Sequence, residues 1–224
     1  MDKEKKEVSE GKCYLCDGTF SKRAMTKHLL GCKKGLDASS EGKKKKIFHL
    51  LVEGGYKNKY WLHLELPADA KLKDLDGFLR DIWLECCGHL SMFTIEEKRY
   101  GDADRAKSMN IKVGEILKPE MKFYHEYDFG TTTTLTLKVL SSREEIGRKG
   151  NSIELLARNN PPLILCELCK KPATQVCSQC IWEGNNAWFC DKCAKKHEDK
   201  NSRCEDMFLP VVNSPRVGMC GYTG

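Results

Sequence analysis

The chain has 224 residues, of which 40% are hydrophobic and 31% charged, a composition typical of a folded protein and unlike a disordered or fibrous chain. No uncharged apolar stretch reaches the roughly 18 residues that a membrane-spanning helix needs. The charged N-terminal residues MDKEKKEVSE also lack the apolar region of a signal peptide. We therefore expect a cytoplasmic protein that does not contact a membrane.

Positive charge is concentrated near the N-terminus. The formal net charge is +6, and residues 1–46 carry 13 Lys+Arg against 7 Asp+Glu. The remaining residues carry 25 of each, so their formal charge is zero. Any contact with an anionic partner is thus expected at the N-terminal end.

Thirteen cysteines are present, and all but Cys86 and Cys87 lie near the two ends of the chain. Cytosolic thiols stay reduced, so their spacing is interpreted first as metal ligation. Short segments that cannot build a core of their own commonly use zinc instead. The sequence therefore predicts a zinc module at each end of a conventional domain, with three structural zinc ions in total.

The N-terminal cluster has the spacing Cys13-x2-Cys16-x11-His28-x3-Cys32. A two-residue gap lets a tight turn direct two thiolates at one ion, and a three-residue gap at helical pitch places His28 and Cys32 on one helix face. These four residues make one closed tetrahedral site. Ser21 is a candidate helix N-cap, and the minimal core beneath the metal would consist of Phe20, Met25 and Leu29.

This spacing resembles the small zinc fingers with three cysteines and one histidine, which are related to the ββα finger. Such fingers bind nucleic acid or protein partners. Nearby cations could release counterions from a phosphate backbone and so bind nucleic acid in a salt-dependent way; they are Lys22, Arg23, Lys27, Lys33, Lys34 and Lys43 to Lys46. The alternative is a solvated basic linker.

A second cluster near the C-terminus contains three Cys-x2-Cys pairs and a terminal His/Cys pair. These eight candidate ligands suffice for two closed tetrahedral sites; they are Cys166, Cys169, Cys177, Cys180, Cys190, Cys193, His197 and Cys204. Pairing could be sequential or crossed, and Cys220 is a rival of Cys204 for the last position. Because side chains fill every position, a catalytic role for these ions is not expected.

The order of these ligands resembles B-box and MYND-type zinc domains. The crossed pairing of those domains would place one ion on Cys166, Cys169, Cys190 and Cys193, and the other on Cys177, Cys180, His197 and Cys204. The terminal cysteine departs from B-boxes, which usually end in histidine. The Cys-x-His pair typical of RING domains is absent, so ubiquitin-ligase activity gains little support.

Three aromatic residues lie inside the C-terminal cluster, namely Trp182, Trp188 and Phe189. We expect them to fill the interior of the module, and a partner-binding face is the alternative. Beyond Cys204 the tail contains prolines and glycines that argue against a helix. The tail would form either an ordered strap or a docking segment.

The central residues show ordinary core periodicities. Leucines alternate in residues 61–66, which predicts a half-buried strand that ends at Pro67. Leu72, Leu75, Phe78, Leu79, Ile82 and Trp83 follow helical spacing. Further strands are predicted at 90–96, 121–128 and 132–140. We therefore predict an α+β fold in which a helix packs on one face of a mixed or antiparallel sheet.

The central segment resembles the plasmid pRiA ORF-three-like family, also labelled insertion-element passenger proteins. The resemblance rests on the strand before Pro67-Ala68-Asp69, the helix start at Leu72, the His89-Leu90 pair and the motif Tyr127-Asp128-Phe129-Gly130. It implies an α+β fold but no established activity. Members often continue the motif with an acidic residue, a tryptophan and a histidine. This chain has four threonines followed by a leucine instead, which favours a non-catalytic role.

Several central side chains have the chemistry of an active site, namely His63, His89, His125, Glu126, Asp128 and the Cys86-Cys87 pair. No pair of them has motif spacing, so we expect solvated or core histidines. Alternation places His63 and Glu65 on the strand face away from the leucines, and His125 on the same face as Tyr127. The two cysteines are expected to behave as small buried apolar residues.

These observations divide the chain into a zinc finger with a basic linker (1–46), an α+β domain (47–158) and a two-zinc module with its tail (159–224). They predict a zinc-binding, non-enzymatic protein that binds nucleic acid through its N-terminal region or protein through its C-terminal module. The alternative is an enzyme with a site near His89, His125 and Asp128. A third hypothesis is zinc buffering or thiol redox sensing.

Overall fold

A nine-stranded antiparallel sheet forms the centre of the molecule, and a separate three-stranded sheet lies in the C-terminal segment. The structure is a computed structural model that describes residues 9–32, 44–55, 58–146 and 152–224. Helices pack against both sheets, so the predicted α+β class is confirmed.

Neighbouring strands of the large sheet follow the order β2-β1-β9-β4-β3-β8-β7-β5-β6. Their bounds are β1 (Glu10–Cys13), β2 (Thr19–Ser21), β3 (Lys44–Gly54), β4 (Tyr60–Pro67), β5 (Ser91–Ile95), β6 (Lys98–Gly101), β7 (Lys122–Tyr127), β8 (Thr133–Ile146) and β9 (Glu154–Asn159). The small sheet has the order β11-β10-β12, with β10 (Gln175–Cys177), β11 (Trp188–Phe189) and β12 (Phe208–Pro210). The central strands predicted near 61–66, 90–96, 121–128 and 132–140 correspond to β4, β5, β7 and β8.

The helices are short, and most of them adjoin a cluster of cysteines. Their bounds are α1 (Lys22–Cys32), α2 (Leu72–Leu79), α3 (Val113–Ile116), α4 (Ser178–Trp182) and α5 (Asp191–Glu198). A single turn of π-helix, Arg80–Leu84, continues α2, and a short 3₁₀ turn spans Ser202–Cys204. In the part of the chain that the structure describes, no helix combines the length and apolar character needed to cross a membrane.

Strand β4 is buried along its whole length, because both faces of the sheet are covered there. Leu62, Leu64 and Leu66 belong to the main core, which also contains the apolar side of α2. Trp61 packs on the other face with Met25 and Leu29 of α1. The predicted strand is therefore present. It is fully buried and not half-buried, because α1 covers the strand face opposite the leucines.

The N-terminal zinc-finger segment is continuous with the central sheet. Strand β1 pairs with β9 as well as with β2. The expected core of Met25 and Leu29 is fully buried and Phe20 is partly buried, but Trp61, Leu156 and Ala157 of the central strands complete it. The predicted boundary at residue 46 falls inside β3, which begins at Lys44. Lys33, Lys34 and Lys43 of the basic region lie outside the described residues.

The predicted amphipathic helix is present, and it changes its hydrogen-bond pattern before it ends. Leu72, Leu75, Leu79 and Trp83 are buried, as their spacing predicts. The backbone N–H of Glu85 donates to the carbonyl of Arg80 at 2.8 Å, which closes the wide π turn. The chain then leaves the helix immediately before the Cys86-Cys87 pair.

The C-terminal tail forms an ordered strap across the central domain, which was one of its two predicted forms. Ser214 Oγ donates to the carbonyl oxygen of Trp83 at 2.6 Å. Asn213 Nδ2 donates to the carbonyl oxygen of Asn159 at 2.8 Å. Arg216 is completely buried against the strand ends. These contacts return the chain to the sheet that it left after β9.

A buried hydrogen bond between a histidine and a carboxylate joins α2 to the sheet. His125 Nε2 donates to Asp76 Oδ1 at 2.7 Å, and neither side chain is more than 8% exposed. Burial raises the pKa of the Asp76 carboxyl, but the hydrogen bond and charge of His125, together with Ser91 and Arg80, outweigh it and lower the pKa. His125 is thus a core histidine with a carboxylate partner.

Replacing Asp76 by Asn should destabilise the protein by about 1–3 kcal/mol, because the buried imidazole loses its charged acceptor. Chemical denaturation at neutral pH measures this change. Asp81→Asn is the matched control, since Asp81 is exposed on the following turn and should change stability by no more than about 0.5 kcal/mol. Equal stability of the two variants would contradict a structural role for the pair.

Candidate metal centres

Four groups of cysteine and histidine side chains converge in the structure, and each group could hold a metal ion. Within every group the candidate ligand atoms lie within 4.8 Å of one another. All 13 cysteines of the chain and three of its six histidines belong to these groups. The groups are Cys13, Cys16, His28 and Cys32; Cys86, Cys87, His89 and Cys220; Cys166, Cys169, Cys190 and Cys193; and Cys177, Cys180, His197 and Cys204.

The sulfur–sulfur separations in two of these groups match those around a tetrahedral ion. With Zn–S bonds of about 2.3 Å, two thiolate sulfurs of one site lie about 3.8 Å apart. The observed Sγ–Sγ distance is 3.5 Å for Cys169 and Cys190 and 3.7 Å for Cys180 and Cys204. Thiolate and imidazole ligands suit zinc best among the abundant divalent ions.

The finger cluster is formed by the β1–β2 hairpin and helix α1, as its spacing predicts. The backbone N–H of Cys13 donates to the carbonyl of Gly18 at 2.8 Å, which closes the turn that holds Cys16. Cys16 Sγ lies 3.3 Å from His28 Nε2. The backbone N–H of Ala24 donates to Ser21 Oγ at 3.4 Å, so Ser21 caps α1. The structure thus brings the four predicted ligands together on a β-hairpin and a helix.

In the C-terminal segment the ligands pair in the crossed order. Cys166 and Cys169 meet the pair at the start of α5, Cys190 and Cys193. Burial raises the pKa of the Cys166 thiol, but hydrogen bonds from backbone N–H groups, beginning with that of Cys190, outweigh it and lower the pKa to about 6. The turn therefore favours a thiolate, the form that binds metal.

The second C-terminal cluster lies between the small sheet and α5. Cys180 Sγ is 3.2 Å from His197 Nε2 and 3.7 Å from Cys204 Sγ. The ring of Phe189 stacks on His197 with 4.7 Å between centroids, and Phe189 is completely buried. Phe189 therefore fills the module as predicted and also orients one candidate ligand.

The predicted role of Trp182 as interior filling is wrong. Its side chain is 71% exposed at the end of α4, whereas Trp188 is half-buried. Four further apolar residues of the C-terminal segment are also exposed, namely Leu163, Leu165, Leu168 and Met207. In the five-residue helix α4 the buried position is Cys180, and Trp182 two residues later lies on the exposed side.

Sequence reasoning missed the fourth cluster. Cys87 is exposed and its Sγ lies 3.0 Å from His89 Nε2, so the expectation of a buried apolar residue is wrong for Cys87, whereas Cys86 is half-buried against the main core. Cys220 completes the set rather than replacing Cys204. The Cys-Cys-x-His spacing was the local signal, but it supplies only three ligands. The fourth comes from more than 130 residues further along the chain.

The side chains of the alternative enzyme hypothesis do not form one set. His89 Nε2 lies 3.5 Å from Asp128 Oδ2, whereas His125 pairs with Asp76 in the core. His63 is buried with its Nδ1 2.9 Å from His49 Nε2. His63 and His125 are thus core histidines, one of the two predicted possibilities, and of these three histidines only His89 belongs to a candidate metal centre.

Several N-terminal lysines lie beside carboxylates. Lys22 forms an ion pair with Glu53, and Lys12 Nζ lies 2.7 Å from Asp17 Oδ1. Lys44 and Lys45 lie 3.5 and 3.3 Å from Glu144 and Asp69, respectively. Arg23 and Lys27 are exposed on α1. The positive charge of this region is therefore partly offset by acidic side chains.

Comparison with known proteins identifies no functional relative. No family model matches the chain, and no curated protein matches it. A solved structure similar to this chain is a protein of unknown function, MM3350, from Methanosarcina mazei Go1. The match has 17% identity and a TM-score of 0.43, and covers 49% of this chain and 68% of that one. This similarity is too weak to indicate a family or an activity, and the resemblance to the plasmid family stays a prediction.

The crossed pairing can be tested by counting bound ions in native mass spectrometry. Cys169→Ser and Cys190→Ser should each lose one ion, and the double variant should also lose only one, because both residues belong to one site. Sequential pairing would place the two residues in different sites. The double variant would then lose two ions, which would contradict the crossed arrangement.

Proposed function

We propose that the protein is a zinc-binding, non-enzymatic interaction protein whose zinc ions are structural. The observation that supports this most strongly is the closed composition of the three clusters that the sequence predicted. Each of them offers four side-chain ligands, so no position stays open for water or substrate. A catalytic zinc site keeps such a position.

The terminal segments depend on these ions for their stability. The C-terminal module has only a three-stranded sheet of two- and three-residue strands and two short helices. Five of its buried apolar positions, Cys166, Cys177, Cys180, Cys193 and Cys204, are themselves candidate ligands. Without metal, these thiols cannot hold the strands and helices together. We infer that metal binding and folding of this module are one process.

A protein partner that covers the exposed apolar residues of this module is the proposed ligand. Trp182 is 71% and Leu168 57% exposed. Leu168 also lines an open groove of about 350 Å³ together with Glu183, Asn185 and Arg203. Exposed tryptophan next to a polar rim is typical of the energetic centre of a protein interface.

The charge of the module favours protein over nucleic acid as its partner. Residues 159–224 contain eight Lys+Arg and seven Asp+Glu. Seven ligand thiolates and two zinc ions change the formal charge of this segment to about −2. A nucleic-acid site would need the opposite sign, since phosphate neutralisation supplies most of the affinity.

Chelation should unfold the C-terminal module, because a structural zinc site contributes roughly 10–16 kcal/mol of apparent binding free energy. We expect strong chelators to abolish amide-exchange protection in residues 166–204, and added zinc to restore it. Metal analysis of untagged protein should identify the ion as zinc. Protection that survives complete removal of metal would contradict the proposal.

Trp182→Ser should abolish binding of the protein partner without changing the fold or the number of bound ions. Full-length wild type and variant are each immobilised and exposed to the same protein mixture. Quantitative mass spectrometry then compares the proteins that each of them retains. Tyr14→Ser is the matched control, since Tyr14 is an aromatic residue of the finger that is 48% exposed. The proposal requires a protein that the wild type and Tyr14→Ser retain and Trp182→Ser loses. Identical protein sets would contradict it.

Nucleic-acid binding through the N-terminal region is the competing outcome. It predicts that affinity for random-sequence RNA or duplex DNA falls steeply with salt, and that replacing Lys44, Lys45 and Lys46 by Gln reduces the slope. We expect affinity that is weak and unaffected by this triple substitution, because Lys44 and Lys45 lie beside Glu144 and Asp69. A steep, lysine-dependent salt response would favour nucleic acid instead.

A further inference from the structure

We propose that Cys86, Cys87, His89 and Cys220 bind a fourth metal ion, which clasps the C-terminal tail to the central domain. The composition of this cluster, three cysteines and one histidine, equals that of two of the three clusters predicted from sequence. Its ligands come from two distant parts of the chain. No local motif contains all four of them.

The sulfur–sulfur distances within this cluster fit one tetrahedral ion. Cys87 Sγ lies 3.8 Å from Cys220 Sγ and 3.6 Å from Cys86 Sγ. His89 Nε2 lies 3.0 Å from Cys87 Sγ and 3.1 Å from Cys220 Sγ. Two sulfurs bound to zinc at about 2.3 Å are separated by about 3.8 Å. Three thiolates with one imidazole form a ligand set that suits zinc.

A buried hydroxyl holds the loop that carries three of the ligands. The backbone N–H groups of Cys86 and His89 donate to Tyr127 Oη at 3.4 and 3.3 Å. Tyr127 Oη in turn donates to Glu85 Oε1 at 3.0 Å, and the same oxygen accepts the N–H of Gly88 at 2.6 Å. Gly88 has a φ of 77°, a conformation that glycine adopts readily. Hydrogen bonds of the protein itself therefore help to set the shape of this loop.

Buried positive charge next to the cluster favours the thiolate form of Cys86. Arg216 is fully buried, and its Nη2 donates to Cys86 Sγ at 3.4 Å and to Asp128 Oδ2 at 2.7 Å. Three thiolates and one divalent ion carry a net charge of −1, which a neighbouring guanidinium stabilises. Outer contacts of this kind orient and tune the ligands of known metal sites.

The tail approaches the cluster along a defined path. Ser214 binds the carbonyl of Trp83, and Arg216 Nη1 donates to Thr133 Oγ1 at 3.1 Å. Cys220 then adopts a φ of 45°, in the left-handed region that non-glycine residues seldom occupy. These contacts bring Cys220 to the end of the helical segment that precedes Cys86.

A metal ion at this position would close a long loop of the chain. The segment leaves the large sheet after β9 at Asn159, and its tail contacts the central domain again from Asn213 to Cys220. A cross-link at its far end restricts the unfolded chain as a disulfide would. The ion would thereby fix the C-terminal module relative to the sheet, whatever partner that module binds.

The fourth site should also exchange its metal most readily. Each of the other three clusters contains at least one buried cysteine, whereas Cys87 and Cys220 are exposed and Cys86 and His89 are half-buried. Solvent and chelators reach exposed ligands first. We expect a limiting amount of chelator to remove one ion before the remaining ions, and to raise the alkylation rate of Cys87 and Cys220 at the same step.

The test is a count of bound ions in the full-length chain, produced with zinc and analysed by native mass spectrometry. Wild type should bind four ions, one for each cluster. Cys87→Ser and Cys220→Ser should each lose one ion, and the double variant should lose the same single ion. Both side chains are exposed, so the variants should fold. Amide exchange in residues 211–222 should accelerate in each variant.

Thr223→Ala is the matched control, because Thr223 is an exposed tail residue without a metal-binding group. It should keep every ion and the exchange rates of the wild type. Cys169→Ser separates this inference from the proposed function. If only the fourth site fails, Cys169→Ser still loses one ion; if the structural zinc sites fail, it loses none.

Two results would overturn the inference. In the first, wild type and Cys220→Ser bind the same number of ions, and zinc does not change the alkylation of Cys87. In the second, freshly prepared wild type lacks the fourth ion, and its protein mass is two hydrogens below that of the reduced chain because Cys87 and Cys220 are joined as a disulfide. The tail would then be held by a covalent bond and not by a metal.

Discussion

Convergence of soft ligands is the constraint on which the rest of this structure depends. Every cysteine of the chain lies in a group of four side chains whose ligand atoms are within 4.8 Å of one another. Four such groups cannot be close-packed hydrophobic contacts, because each gathers polarisable atoms that gain most from a shared cation. The segments around them contain strands of two to four residues and helices of five to eleven. The proposed coordination would hold such short elements together.

The central sheet provides the rigid support for these groups. Strand β4 is buried on both faces, with α2 against one face and the finger helix α1 against the other. The finger therefore shares its core with the sheet, which limits the freedom that a linked zinc finger usually has. A finger held in this way presents only its exposed residues, such as Arg23 and Lys27 on α1, to a partner.

One polar network joins the sheet, the loop after α2 and the C-terminal tail. Arg216 contacts Asp128 and Cys86 and lies over the ring of Tyr127 with 4.8 Å to its centroid. Burial lowers the pKa of Arg216, but the hydrogen bond to Asp128 outweighs burial, so the pKa is raised. Asp128 is buried, which raises its pKa, but Arg216 and the N–H groups of Thr131 and Gly130 outweigh that effect and lower the pKa well below its usual range. The Tyr-Asp-Phe-Gly motif thus serves to hold the tail, and its first two residues do so directly.

The sequence by itself determined what depends on local spacing. Cys-x2-Cys turns, the His-x3-Cys pair of the finger, the alternation around Leu62 and the helical pattern from Leu72 each act within a few residues, so each could be recognised without coordinates. Only the tertiary structure decided which distant ligands meet, that Trp182 stays exposed, and that His63 and His125 are buried with partners on other elements. The fourth cluster is the clearest case. Cys220 reaches Cys87 because Arg216 and Ser214 fix the path of the tail across the sheet, and contacts across such separations leave no periodic signal in the sequence.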